Sequence, residues 1–168
     1  MKTITITILA IISLMVISCK KDNTGTDLTN QVIGTYNGTL TQGAFKSGLS
    51  QAKTDVTKDN DYTVRIHCNG VELDTTFMLE LYENGNQMMV CLTGDDFYNE
   101  YGHHQSENHY MMGEDGNWTN WEQHTGNDHE SGDVHYGSFN MDNHSFEYTF
   151  NMHNSQGDYT LHFTGTKQ

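Results

Sequence analysis

The chain has 168 residues, of which 8 are Lys or Arg and 22 are Asp or Glu, for a formal net charge of −14. That surplus of acid excludes nucleic-acid binding, which needs Lys and Arg to release phosphate counterions, and it disfavours anionic lipid head groups for the same reason. Proline is absent, so every chain reversal must rest on Gly, Asn, Asp or Ser.

The first element lies outside the fold. Lys2 supplies a short positive region, Ile4 to Ile17 form an uncharged apolar core of 14 residues, and Val16-Ile17-Ser18-Cys19 ends it with a cysteine. This pattern looks like a bacterial lipoprotein signal peptide, with residues 1–18 removed and Cys19 taking a palmitate-type acyl chain. Its apolar run is too short to cross a bilayer, which needs roughly 20 residues. The polar stretch up to residue 31 is expected to be a flexible tether. Lys20-Lys21-Asp22 resembles the charged stretch that follows Cys in surface-exported lipoproteins of Bacteroidota, which implies a lipid-anchored protein of the cell envelope, at the outer membrane.

From Val32 onward apolar and polar residues alternate with period two, and no stretch carries a helical stripe, which predicts an all-β domain over 32–168. Eight strands are expected: Val32 to Thr41, Ser50 to Thr57, Tyr62 to Cys68, Asp74 to Tyr82, Gln87 to Leu92, Val134 to Met141, Ser145 to His153 and Asp158 to Thr166. Asn69-Gly70 and Asn84-Gly85 are two-residue hairpin signals, because both central residues of a type I′ turn need positive φ; Asp142-Asn143 and Asn154 to Gly157 close two more. Alternation places Val64, Ile66 and Cys68 on one face, with Phe77, Leu79 and Leu81, then Phe146, Tyr148, Phe150 and Met152, then Tyr159, Leu161 and Phe163. One apolar and one wet face per strand suits an antiparallel sheet closed around a core.

Three segments carry a resemblance. Ile33-Gly34-Thr35-Tyr36-Asn37-Gly38-Thr39-Leu40, the hairpin from Val56 to Val64 and the closing Phe163-Thr164-Gly165-Thr166-Lys167 are similar to the calycin-like (lipocalin-like) lipoproteins of Bacteroidota. The resemblance implies an eight-stranded antiparallel up-and-down barrel whose last strand returns to pair with the first.

Gly94 to Asp133 breaks the pattern. Forty residues between the fifth and sixth strands far exceed a hairpin loop, and their aromatics argue for order. In an up-and-down barrel the segment leaves at the same end as the 69–70 and 154–157 turns, so it is expected to hang over that mouth, where a small barrel takes a ligand. The first reading is a binding module for a small molecule, glycan or peptide, with Tyr98, Tyr101, Trp118 and Trp121 as the contact surfaces. The second is a metal site. His103, His104, Glu107, His109, His129 and His135, with His124, Asp128, Glu130 and Asp133 nearby, offer the imidazoles and carboxylates that suit zinc or another divalent transition metal. Their spacing matches no standard signature. The third is an acidic inhibitor or immunity-type surface for a basic protein partner. No nucleophile elbow, phosphate loop or carboxylate pair points to an enzyme. Cys68 faces in and Cys91 faces out, on strands separated by a third, so both are expected to remain free thiols.

Overall fold

The computed structural model describes residues 27–43, 47–106, 119–155 and 157–168. Cys19, Glu107, His109 and Trp118 lie outside the described residues. Eight strands, β1 (Gly34–Gln42), β2 (Ser47–Lys58), β3 (Thr63–Gly70), β4 (Asp74–Asn84), β5 (Gln87–Leu92), β6 (Gly137–Asn140), β7 (Ser145–Asn154) and β8 (Gly157–Lys167), form one closed barrel in chain order. Each neighbouring pair is antiparallel, and β8 returns to β1 from Tyr36↔Lys167 to Gln42↔Leu161. Closure removes the exposed edges that an open sheet would offer to other chains.

Alternation works as the chemistry requires. Val64, Ile66, Leu79, Leu81, Phe146, Leu161 and Phe163 are sealed inside with Tyr36 and Leu40. Cys68 lies among them, and both described cysteines are free. β5 spans the expected residues, and the other strands agree within three positions at either end, β2 starting three residues early and β6 three late. Two turns differ in detail. β3 runs through Gly70, and the reversal is made by the residues up to Leu73, whose carbonyl accepts the Gly70 amide. The second reversal is centred one residue later than expected, because Asn84 pairs with Gln87 and leaves Gly85, at φ 62°, and Asn86 in the turn.

Part of the expected tether belongs to the packed domain. A short helix, α1 (Thr29–Val32), occupies the place where the first strand was expected to start, and Leu28 and Val32 are fully buried. Asp27 accepts from the amide and hydroxyl of Thr29, the Leu28 amide donates to Asp61, and the Tyr36 hydroxyl donates to Val32. Leu28 is the one large apolar side chain in that polar stretch, and burying it fixes the residues around it.

The long segment contains two helices that period-two reading did not anticipate, α2 (Gly94–Tyr101) and α3 (Trp121–Asp128). It leaves the expected end of the barrel but does not stop over the mouth. It turns back along the outer wall, so that α3 packs on β4, the Glu83 amide donates to Thr119, and Glu83 bridges Asn120. β6 shrinks to Gly137–Asn140 because the residues before it are committed to this cap.

Candidate metal centre

The outer wall under the cap begins as ordinary strand alternation. Glu80 and Tyr82 point outward from β4, and Met89 and Cys91 from β5, with Glu80 directly opposite Cys91. On an uncovered barrel all four would be wet. Here Phe97 of α2 packs on Tyr82 and Cys91 with Tyr101 and Trp121 around them, and Tyr82, Cys91 and Phe97 are 0, 2 and 0% exposed. α2 carries Asp95 and Asp96 in its first turn, where the helix dipole favours acid, and ends on Gly102 at φ 78°, whose amide returns to Tyr98. Asn120 caps α3 by accepting from the Gln123 amide.

α3 and the stretch after it bring His129 and His135 to Cys91, with His124 beside His129. His124 and Asp128 stand one helical turn apart, and His124 Nδ1 lies 3.0 Å from Asp128 Oδ2. His129 repeats the arrangement, with Nδ1 2.9 Å from Asp133 Oδ2, after Gly132 at φ 114° bends the chain back. That same Asp133 oxygen also receives His103 Nε2 at 3.0 Å and the Glu130 amide at 2.9 Å. The Nε2 atoms of His124 and His129 lie 3.0 Å apart, and in the tautomers whose Nδ1–H groups donate to the carboxylates both present lone pairs there. His129 Nε2 is also 3.4 Å from Cys91 Sγ. Donor atoms of Cys91, His129 and His135 lie within 4.8 Å of one another, and His124 adjoins them through His129.

The two shortest separations come within about 0.3 Å of those in a zinc coordination shell. Two nitrogens about 2.05 Å from a tetrahedral zinc are about 3.3 Å apart, and a nitrogen and a sulfur at about 2.3 Å are about 3.6 Å apart, against the 3.0 and 3.4 Å here. Carboxylates on the far side of the two rings are the usual outer support of metal-binding histidines, since they select the tautomer with Nε2 free. A second sign is His135 Nδ1, which is buried with no hydrogen-bond partner. The donors fit zinc or a metal of similar softness: Cys91, His129 and His135 offer one thiolate and two imidazoles, with His124 beside His129.

The electrostatics agree. Burial, then repulsion from its neighbouring imidazoles, pushes His135 down to about 4, and burial likewise lowers His129. Burial and then Glu80 raise the Cys91 thiol; a dication on the sulfur reverses that by displacing the proton. Asp133 is held below the usual carboxylate range: burial opposes this, but the Glu130 amide and the His103 and His129 rings together outweigh it. Beside Cys91, the buried Glu80 accepts from Tyr82, Gln105 and Thr93.

The expected residues are thus redistributed. His129 and His135 enter the centre, and His103 supports it through Asp133. His104 stacks on the half-exposed Tyr98 and takes no part. Of the expected ligand surface, Trp118 lies outside the described residues and Tyr98 stacks on His104. Tyr101 donates to the Val134 carbonyl and packs on Phe97 and His129, and Trp121 packs on Tyr82, His124 and His135, so both wall the metal centre. Cys91 is the donor that sequence reasoning missed. Its signal was an outward cysteine on a strand that leads straight into the histidine-rich segment.

No protein-family model matches the chain, and no curated protein matches it significantly. Among solved structures it is similar to a redesigned β-barrel, at 14% identity over 84% of this chain and 96% of that one with a TM-score of 0.41. It is also similar to EF1p2_mFAP2b bound to DFHBI, at 12% identity over 86% of this chain and 100% of that one with a TM-score of 0.42.

Proposed function

We propose that this barrel is a metal-binding lipoprotein of the calycin-like kind, holding one zinc or similar divalent transition ion through Cys91, His124, His129 and His135. The observation that carries the reading is the pair of Nε2 atoms at 3.0 Å whose other ring nitrogens already face carboxylates. A cation between them would satisfy both, and the burial that disfavours a proton on His129 leaves a metal as the reading. The chain also has no Lys or Arg between Arg65 and Lys167 to balance the acids of that interval. Native mass spectrometry of an untagged 20–168 fragment tests it. One metal per chain is expected, removed by chelator and absent from a Cys91→Ser/His129→Ala variant; a metal-free chain at micromolar zinc overturns the reading.

The same proposal places the protein on a membrane through Cys19, at the outer membrane. Cys19→Ser should abolish labelling by a palmitate analogue and move the protein out of the detergent phase. Unchanged labelling would sink the anchor.

An organic ligand at the barrel mouth is supported by a separate observation. β5 ends at Leu92 opposite Leu79, and β6 starts at Gly137 opposite Tyr148, so the wall opens between the start of β4 and the end of β7. A cleft of about 590 Å³ lies there, with Phe77 against Tyr148 and Phe150 inside it. Asp74, Asp96 and Glu100 stand among its lining residues, with no Lys or Arg. Aromatic faces under a carboxylate rim suit a flat organic cation. A fluorescent aromatic amine should bind, and the sulfonate of the same ring system should not; equal binding of the two would remove the charge argument.

A further inference from the structure

The four donors are not equally held. The side chains of His124 and His129 are 0 and 4% exposed, and each is pinned by its carboxylate at 3.0 and 2.9 Å. Cys91 is built into β5 and buried. His135 differs on every count. It stands in the irregular stretch between α3 and β6, no carboxylate pins it, and its Nδ1 has no partner. Packing alone positions its ring, edge-on to Trp121 at 4.3 Å and to His129 at 4.4 Å.

His135 is also the donor that reaches a depression on the outside of the barrel. This depression, of about 270 Å³, crosses four strands and is lined by Met89 of β5, Ser138 of β6, Glu147 and Thr149 of β7, and His162 of β8. Cys91, His124 and His129 do not line it. Thioether, carboxylate and imidazole groups standing singly on a strand surface suit brief contact with a divalent ion and are too few for a closed cage.

We infer that the metal enters and leaves through this depression by ligand exchange at His135, so that the centre hands its ion on to a carrier. The inference rests on the metal reading above. When the His135 ring turns out, Cys91, His124 and His129 remain as a three-donor platform, and an imidazole or thiolate from an incoming carrier takes the fourth position before the platform lets go. No electron moves. On loading, the Cys91 thiol gives its proton to solvent as sulfur binds the ion, and on release sulfur takes a proton back.

The test uses Co²⁺ as the probe, because its thiolate charge-transfer band reports the bound state directly, with stopped-flow mixing of the mature chain. Thr149→Trp and His162→Trp fill the depression from outward strand positions where an aromatic is well tolerated. Each should slow both loading and chelator-driven release by about tenfold while Kd stays within about twofold. Melting followed by circular dichroism establishes that each variant is folded. His135→Ala should release Co²⁺ about tenfold faster, with free imidazole restoring the slow rate. Tryptophan variants that load and release at the wild-type rate would overturn the route, and so would a His135→Ala chain that imidazole leaves unchanged. A wild-type chain that never develops the cobalt band fails one step earlier, at the metal reading itself.

Discussion

At the scale of single residues, Asp133 holds more of the proposed centre in place than any other carboxylate described. One of its oxygens receives His103, His129 and the Glu130 amide within 3.0 Å, which orients the His129 ring and leaves its Nε2 lone pair free. Asp133→Asn removes that charge, and metal affinity should fall by about 10- to 100-fold with the fold unchanged, as isothermal titration would show. Asp27 gives a prediction about acid. The Lys58 ammonium, then the Thr29 hydroxyl, hold its carboxyl at about 2 against an ordinary 3.8. A depressed folded value means that its stabilisation is fully present above the ordinary value and is lost as pH falls from about 4 to about 2. Asp27→Asn should therefore lower stability at neutral pH and flatten the acid limb of the unfolding curve. An unaltered acid limb would show that the contact contributes nothing.

At the scale of elements, the barrel depends on the seam between β1 and β8. Gly38 sits directly opposite Gly165 there, and a Cβ on Gly38 would stand 2.0 Å from the Thr164 carbonyl oxygen and 2.5 Å from the Gly165 Cα. Those neighbours are backbone and cannot turn aside. Gly38→Ala should cost about 1 to 3 kcal/mol or more in denaturant unfolding, with Gly85→Ala as the contrast, because Gly85 meets nothing within 4 Å and pays only for its φ of 62°. The cap follows different rules. α2 and α3 have eight residues each, too short to persist alone in water, and they stand because Phe97, Tyr101 and Trp121 bury the outward side chains of β4 and β5.

At the scale of the whole molecule, the proposed metal centre would join barrel and cap. Cys91 belongs to the wall, and His124, His129 and His135 belong to the segment folded over it. An ion that binds only the assembled form stabilises the whole chain by mass action. At 100 times Kd this amounts to about 2.7 kcal/mol, or roughly 5 to 11 °C in Tm for a domain of this size. Zinc should produce that rise in the wild-type chain and none in Cys91→Ser. An equal rise in both would place the ion among the surface carboxylates instead.

The strands and the parity of their side chains were legible in the sequence because both are local properties. Alternation at Val64-Ile66-Cys68 and at Phe146-Tyr148-Phe150 states which side chains share a face, and that was enough to keep Cys68 and Cys91 apart. It could not say that the outward face of β4 and β5 would be dry. Parity distinguishes in from out, and only the path of a forty-residue connection decides whether out means water. Leu28 shows the same limit at smaller scale, since a lone apolar residue in a polar stretch gives no period to read. The helices of the cap are too short for a stripe, and Asn120 and Gly102 mark their ends more clearly than any pattern marks their bodies. Ten histidines and an acidic chain without local counter-charge announced that a metal was chemically at home. Which histidines converge, and that a cysteine joins them, was decided by tertiary structure alone, because a coordination shell is a set of distances between residues far apart in the chain.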